Sequence, residues 1–304
     1  MLGNYPLSYD FMFDMLLYGL RKNGHDVYDY PKRLPLYNNG RFINYWGKGK
    51  FPSGILGLDS HNRTGIPDPC EFDVIIAENA MLLSDKMVWW NDKEAFQKKC
   101  LSHSGLISLI TNDPFTNAPI PATYIKEGKY AVRENGIRPT VLENCFNLTF
   151  MCPRAWCHAP LNGRVKDMSV SFTPSNHLRK DLIKTYPINL WTNDLNTYLN
   201  GLQEYMFGLS LPGDGWLCQR DPEVAGNGVL LRYKQPKTLD FPEQYHHGED
   251  CVDFTDINEI PKILAYYKAN PDEWKRMALK SYEKTVQYHT AEAESERLLK
   301  YVLH

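Results

Sequence analysis

Arg220 and Glu223 stand three residues apart, close behind Gly213-Asp214-Gly215, in a stretch that reads GLSLPGDGWLCQRDPEVAGNGVLLRY from Gly208 to Tyr233. On a helix that spacing sends two side chains in neighbouring directions. The arginine can neutralise phosphate charge, and the carboxylate can accept hydrogen bonds from two ribose hydroxyls. Glycines at 213 and 215 let the backbone approach a ligand closely, while the following helix start aims unpaired N–H groups at the same place. The arrangement suits a phosphorylated ligand that contains a ribose. Spacing alone fits equally well a solvated ion pair behind a turn.

Other residues offer chemistry with a plain counterpart beside each. Thr173 to Ser175, ahead of Arg179 and Lys180, could cradle a second phosphate, or simply cap a helix with a solvated basic pair. Glu78 and Asp113 fall just past the carboxyl ends of predicted strands, where α/β sheets build their sites, and Asp10 lies in the first loop. Each also reads as a capping or solvated carboxylate. Cys152, Cys157 and His158 lack a tetrahedral zinc spacing and a fourth ligand, so they read as loop thiols and no metal site is expected. His246-His247 reads as surface. The basic and aromatic run from Arg41 to Lys50, with Tyr45 and Trp46, resembles carbohydrate or nucleic-acid contact loops, and also an ordinary solvated loop.

These residues need elements to hold them. Apolar spacing predicts a helix over Phe11 to Leu20 stopped by Gly24, then a strand from His25 to Tyr30. FDVIIA, Phe72 to Ala77, and Gly105 to Ile110 are near-continuous apolar runs, the pattern of parallel strands covered on both faces, with a helix between them at Asp92 to Cys100. A Pro-, Gly- and Arg-rich stretch, Met151 to Asp167, suggests a linker. Beyond it come a strand at Met168 to Thr173 and helices at His177 to Lys184 and Leu195 to Tyr205. Phe207 to Leu211, Val229 to Tyr233 and Cys251 to Phe254 read as strands, with the Arg220 to Ala225 helix among them. Ile257 to Asn270, Pro271 to Tyr288 and Ala291 to Leu303 are amphipathic helices. Alternating strands and helices predict an α/β fold with parallel sheets.

The chain has 304 residues, enough for two cores of about 150 residues each. A net charge of -2 provides no global basic field, so nucleic acid is possible as a partner but not favoured. Seven cysteines in no regular framework fit a reducing compartment better than a disulfide-stapled domain. No apolar run is long enough to span a bilayer and no signal-peptide pattern opens the chain, so a soluble cytoplasmic protein is expected.

The segments around the Arg-x-x-Glu pair resemble the donor-binding domain of GT-B glycosyltransferases, in particular the CgeB-like and glycosyltransferase-family-1-like group. In that group a strand ending in a Gly-rich turn leads to an Arg-x-x-Glu helix and a Gly-containing exit, matched by Gly208 to Leu231. His247-Gly248-Glu249-Asp250, Val252 to Phe254, Asp256 and Tyr266 to Trp274 match the later pattern, and the likeness extends over roughly Val165 to His304. The opening, Gly3 to Pro31, resembles such proteins too. Pro222, Asn227 and a short first strand depart from the pattern.

The resemblance implies two Rossmann-like domains facing a cleft, with residues 1–160 on the acceptor side and residues 161–288 binding a nucleotide-sugar. A helix at residues 289–304 would cross back to the first domain. It implies sugar transfer to a hydroxyl of a glycan or other acceptor, without cofactor or obligatory metal. Glu223 would hold the ribose, Arg220 the diphosphate, and Gly213, Asp214 and Gly215 would bring backbone amides to it, with Thr173 and Arg179 as a second cradle. Asp113, Glu78 and Asp10 are the candidate bases. Glycosylation of a DNA base, and a silent nucleotide-sugar-binding protein, are the competing readings.

Overall fold

The computed structural model describes residues 11–29, 68–78, 93–111, 129–138, 141–160, 164, 166–190, 195–213, 215–239 and 241–304. Two compact units emerge: residues 1–148 together with 294–304, and residues 149–293. Pro153 to Pro160, ahead of the domain limit expected at residue 160, lie in the second unit.

In the first unit, helix α1 (Phe11–Lys22) buries Phe13, Leu16 and Leu17 completely. Strands β1 (Ile75–Glu78), β2 (Leu106–Ile110), β3 (Lys129–Arg133) and β4 (Phe146–Leu148) form a parallel sheet in that order. Helix α2 (Lys93–Leu101) follows β1 in the chain. The first two strands and both helices fall where the apolar runs put them. β3 and β4 were not anticipated, because KYAVR and FNL are too short and too polar to read as covered strands. The expected strand at His25 to Tyr30 is also corrected: residues 25–29 carry no sheet pairing.

The second unit holds another parallel sheet, β5 (Lys166–Ser169), β6 (Tyr205–Ser210), β7 (Val229–Tyr233) and β8 (Cys251–Phe254), paired in that order. Helices α3 (His177–Thr185) and α4 (Leu195–Leu202) connect β5 to β6, and the six-residue α5 (Arg220–Ala225) connects β6 to β7. After β8 the chain turns through Ile257–Glu259 into α6 (Ile260–Ala269) and α7 (Pro271–Tyr288). Asp256 and Glu259 form a reciprocal capping box at that start, and Pro261 and Pro271 sit in first turns, where a missing N–H costs nothing. Phe172, Phe207, Leu209, Leu231, Phe254 and Trp274 are among the core side chains joining sheet to helices. Each large apolar side chain so buried contributes roughly 1.5–3 kcal/mol.

Helix α8 (Ala291–Leu303) leaves the second unit after Ala293 and packs as part of the first. Arg297 lies 4.1 Å over the Phe146 ring and donates to the Asn147 carbonyl at 3.0 Å. The Tyr301 hydroxyl donates to the Asn144 carbonyl at 2.6 Å, and Lys129 donates to the carbonyl of Val302. At the other end of the helix, Asn23 donates to Ser295 at 3.1 Å. The last helix therefore returns to the first sheet, as expected.

Candidate functional site

Strand register decides what meets at the carboxyl edge of the second sheet. Ser210 is paired with Arg232, and Arg232 with Asp253, so three polar side chains line up where β6, β7 and β8 end. Arg232 is 5% exposed and bonds Asp253 through Nε at 2.9 Å, with further bonds to Gln235 and the Tyr245 carbonyl. Ser210 donates to Asp221 on α5. Burial pushes the Asp221 carboxyl up from its ordinary value, against the opposing pull of Arg232 and the Ser210 hydroxyl.

Helix α5 packs directly on β6. A side chain at Gly208 would place a Cβ 2.5 Å from both γ-methyls of Val224, so only glycine allows this approach. The close seat brings Arg220 and Glu223 to the strand ends. Glu223 is 6% exposed, and its two oxygens are separately engaged: Gln219 Nε2 donates to Oε1 at 2.9 Å and the Tyr198 hydroxyl donates to Oε2 at 3.1 Å. Burial raises the Glu223 carboxyl from its ordinary value, only partly offset by Arg220, Gln219 and Tyr198. Each carboxylate oxygen has a second acceptor position, so these two bonds orient the group without exhausting it.

Arg220 is half-buried, with its Cζ 5.7 Å from the centre of the Phe172 ring. Burial opposes its charge, but Tyr198, Cys218 and Glu223 around it outweigh that and strengthen its hold on the proton. Its Nε and Nη1 atoms are buried and have no hydrogen-bond partner among the described residues. Guanidinium donors left unpaired in this way cost free energy, and an anion would satisfy them.

Arg179, on α3, has its Cζ 5.5 Å from the centre of the same Phe172 ring. Its guanidinium donates to the carbonyls of Leu211 at 2.7 Å and Thr173 at 3.2 Å. It thus ties the loop after β5 to the loop after β6. Gly213 lies against it: a Cβ there would come 3.2 Å from Arg179 Nη2. Asn176, the N-cap of α3, adds donations from Nδ2 to the Pro212 and Gly213 carbonyls at 2.8 and 3.1 Å while its Oδ1 accepts from Arg179 N. Thr173 is exposed and contributes its carbonyl; the Gly213 amide is turned to the Gly215 carbonyl at 3.0 Å.

The structure thus brings Gly213, Gly215, Arg179, Arg220 and Glu223 to one end of one sheet. Glu78 ends β1 in the other unit, and its side chain is outside the described residues, as are Asp10, Asp113, Asp214 and the Arg41 to Lys50 loop. Tyr198, Gln219 and Asn176 were missed. Asn176 carried a signal, a helix N-cap type before a basic helix; Tyr198 carried none, since its role depends on a contact 25 residues away. Among the described residues no cluster could hold a metal, and no helix is long and apolar enough to cross a membrane.

Residues 190–300, which include α4, α5 and their partners, match the model of a family described as glycosyl transferase-like. No curated protein matches the chain. Among solved structures, a glycosyltransferase from Rickettsia africae ESF-5 is similar over 99% of this chain and 98% of its own, with a TM-score of 0.57 and 10% identity. Another, Alr3699/HepE from Anabaena in complex with UDP and glucose, is similar over 76% of this chain and 77% of its own, with a TM-score of 0.48 and 10% identity. The fold is α/β, with two parallel-sheet Rossmann-like domains and C-terminal helices, the GT-B class expected from the sequence.

Proposed function

We propose that this protein is a metal-independent glycosyltransferase that moves a hexose or pentose from a nucleotide-sugar to a hydroxyl of a glycan or other acceptor. The observation that carries the reading is Arg220: two buried guanidinium donors without a partner among the described residues, beside a carboxylate whose oxygens each keep a second acceptor position. The glycosyl transferase-like match over residues 190–300 supports it, since that span contains both residues. The Anabaena protein's complex with UDP and glucose makes UDP a sensible first probe.

In this reading Glu223 accepts from the ribose hydroxyls while Tyr198 and Gln219 keep its oxygens in place. Arg220 faces the diphosphate, whose negative charge grows as the bond to the sugar breaks. A cation already placed beside the Phe172 ring needs no reorganisation at that moment, which is how such groups lower a barrier. Arg179 ties the loop after β5 to the loop after β6 through the Thr173 and Leu211 carbonyls. The acceptor hydroxyl would lose its proton to a carboxylate, with Glu78, Asp113 and Asp10 as the candidates. All seven cysteines are free, which supports a cytoplasmic setting.

The test is a thermal-shift screen against UDP-, GDP-, ADP- and dTDP-sugars, since a ligand of the native state stabilises it by mass action. A cognate donor raises the melting temperature of the wild type and, at the same concentration, raises that of Glu223→Gln by less. No shift with any of them would overturn the reading. Binding without release of nucleoside diphosphate, with or without acceptor, would make the protein a binder and not an enzyme.

A further inference from the structure

Cys152 and Cys157 lie outside the site described above, yet their sulfurs are 3.6 Å apart. We propose that the two thiols are a redox modification site, closed to a disulfide by hydrogen peroxide and reopened by thiol reductants, and that closure loosens helix α5.

The two cysteines are held very differently. Cys152 is fully buried and its backbone is fixed on both sides: its N–H donates to the His289 carbonyl at 3.2 Å, and its carbonyl accepts from Ala291 N at 2.8 Å. Cys157 is half-buried and sits at the end of the single turn Arg154–Trp156, so peroxide reaches it first. The hydrogen bond with the adjoining Cys157 sulfur, and then burial, hold the Cys152 thiol in its protonated form, which disfavours it for the first attack.

The chemistry balances in two steps. The Cys157 sulfur attacks one oxygen of hydrogen peroxide, the O–O bond breaks, and Cys157 becomes a sulfenic acid as one water leaves. The Cys152 sulfur then attacks the sulfenic sulfur, the S–O bond breaks, and a second water carries off the hydroxyl with the remaining thiol proton. Two electrons pass from the sulfurs to the peroxide. Two molecules of reduced glutathione, released as glutathione disulfide, or one dithiol that closes to its own disulfide, return them by exchange.

Closure must move Cys157. A disulfide needs the sulfurs about 2.0 Å apart, so a gap of 3.6 Å has to shrink by roughly 1.5 Å, and the pinned partner is Cys152. The Cys157 sulfur rests on the exit of α5, where a Cβ at Gly226 would lie only 2.6 Å from it. Its chain neighbours hold that exit. His158 N–H donates to the Gly226 carbonyl at 2.8 Å, and the Trp156 carbonyl accepts from Asn227 Nδ2 at 2.8 Å. Asn227 Nδ2 also donates to the carbonyl of Glu223. Pulling the turn inward strains these bonds and frees the C-terminal end of the helix that carries Arg220 and Glu223.

The experiment treats the full-length protein with hydrogen peroxide, blocks remaining thiols, and maps the linkage by mass spectrometry. Trypsin cuts after Arg154 and so separates the two cysteines; fragment sequencing then distinguishes Cys152 from Cys145. The expected product is a Cys152–Cys157 link, absent from Cys157→Ser or Cys157→Ala and removed by dithiothreitol. In parallel, amide hydrogen exchange over residues 220–228 should quicken on oxidation and slow again on reduction. Cys157 converted to sulfinic acid with no link would overturn the site. A link that leaves exchange over 220–228 unchanged would overturn its coupling to α5. Neither result depends on nucleotide binding, so the proposed activity stands or falls separately.

Discussion

The hydroxyl of Tyr198 lies 3.1 Å from Glu223 Oε2, so a residue on α4 fixes the orientation of a carboxylate on α5. Tyr198→Phe removes one of the two donors that the carboxylate receives, while Gln219 keeps the other. The expected loss of stability is about 1 kcal/mol, read from urea denaturation. Affinity for a nucleoside diphosphate should weaken less than for Glu223→Gln, which is expected to lose roughly tenfold or more by calorimetry. Equal affinities in all three proteins would remove Glu223 from the ribose position.

Arg220 separates the phosphate end of the ligand from the ribose end. Lysine keeps the charge but not the planar fork of donors, so Arg220→Lys is not a conservative change here. The nucleoside diphosphate of the cognate donor should bind roughly tenfold or more weakly, while its nucleoside, which has no phosphate, binds the variant within about a factor of two of wild type. Parallel losses for both ligands would place Arg220 at the nucleoside instead. The comparison is made by competition calorimetry at constant ionic strength, because screening affects only the charged ligand.

Legibility in the sequence followed element length and local pattern. The α5 helix, strands β7 and β8, and helices α7 and α8 occupy the residues that periodicity and punctuation marked, because Gly226, Pro271 and the apolar stripes act locally. β3 and β4 escaped because KYAVR carries a charge at each end and FNL is only three residues with Asn147 at its centre; what makes them strands is their pairing onto β2 and onto each other. At the site, Arg220 and Glu223 were visible as a spaced pair, whereas the groups that orient them were not. Tyr198, and Arg179 as a tie between two loops, depend on carbonyls and carboxylates far along the chain, and no spacing encodes such meetings.

The contact of β6 with α5 should be strongly coupled. Gly208→Ala places a methyl 2.5 Å from the Val224 methyls, and overpacking of this kind costs about 1–3 kcal/mol. Val224→Ala alone leaves a small void and is also destabilising. Combined, the two changes should cost about 1 kcal/mol or more less than their sum, since the added methyl enters the space the valine vacates. A double-mutant cycle from thermal unfolding measures the difference. Strict additivity would mean that α5 does not sit on Gly208.

Asp221 sets a pH dependence whose sign can be worked out. Burial is the largest influence on it and raises its pKa above the unfolded value, even though Arg232 and Ser210 pull the other way. A native state that binds the proton more tightly than the unfolded chain gains stability from that proton at low pH. The gain is complete below the unfolded carboxylate pKa of about 3.9 and is lost as pH rises through the higher folded value. Asparagine keeps an oxygen for Ser210 and never ionises. Asp221→Asn should therefore gain stability relative to wild type as pH is raised from below about 4 toward neutrality. Urea denaturation of both proteins across that range gives the difference directly. Curves that run parallel would mean that Arg232 and Ser210 cancel the effect of burial, and a difference that grows toward acid would mean that they outweigh it.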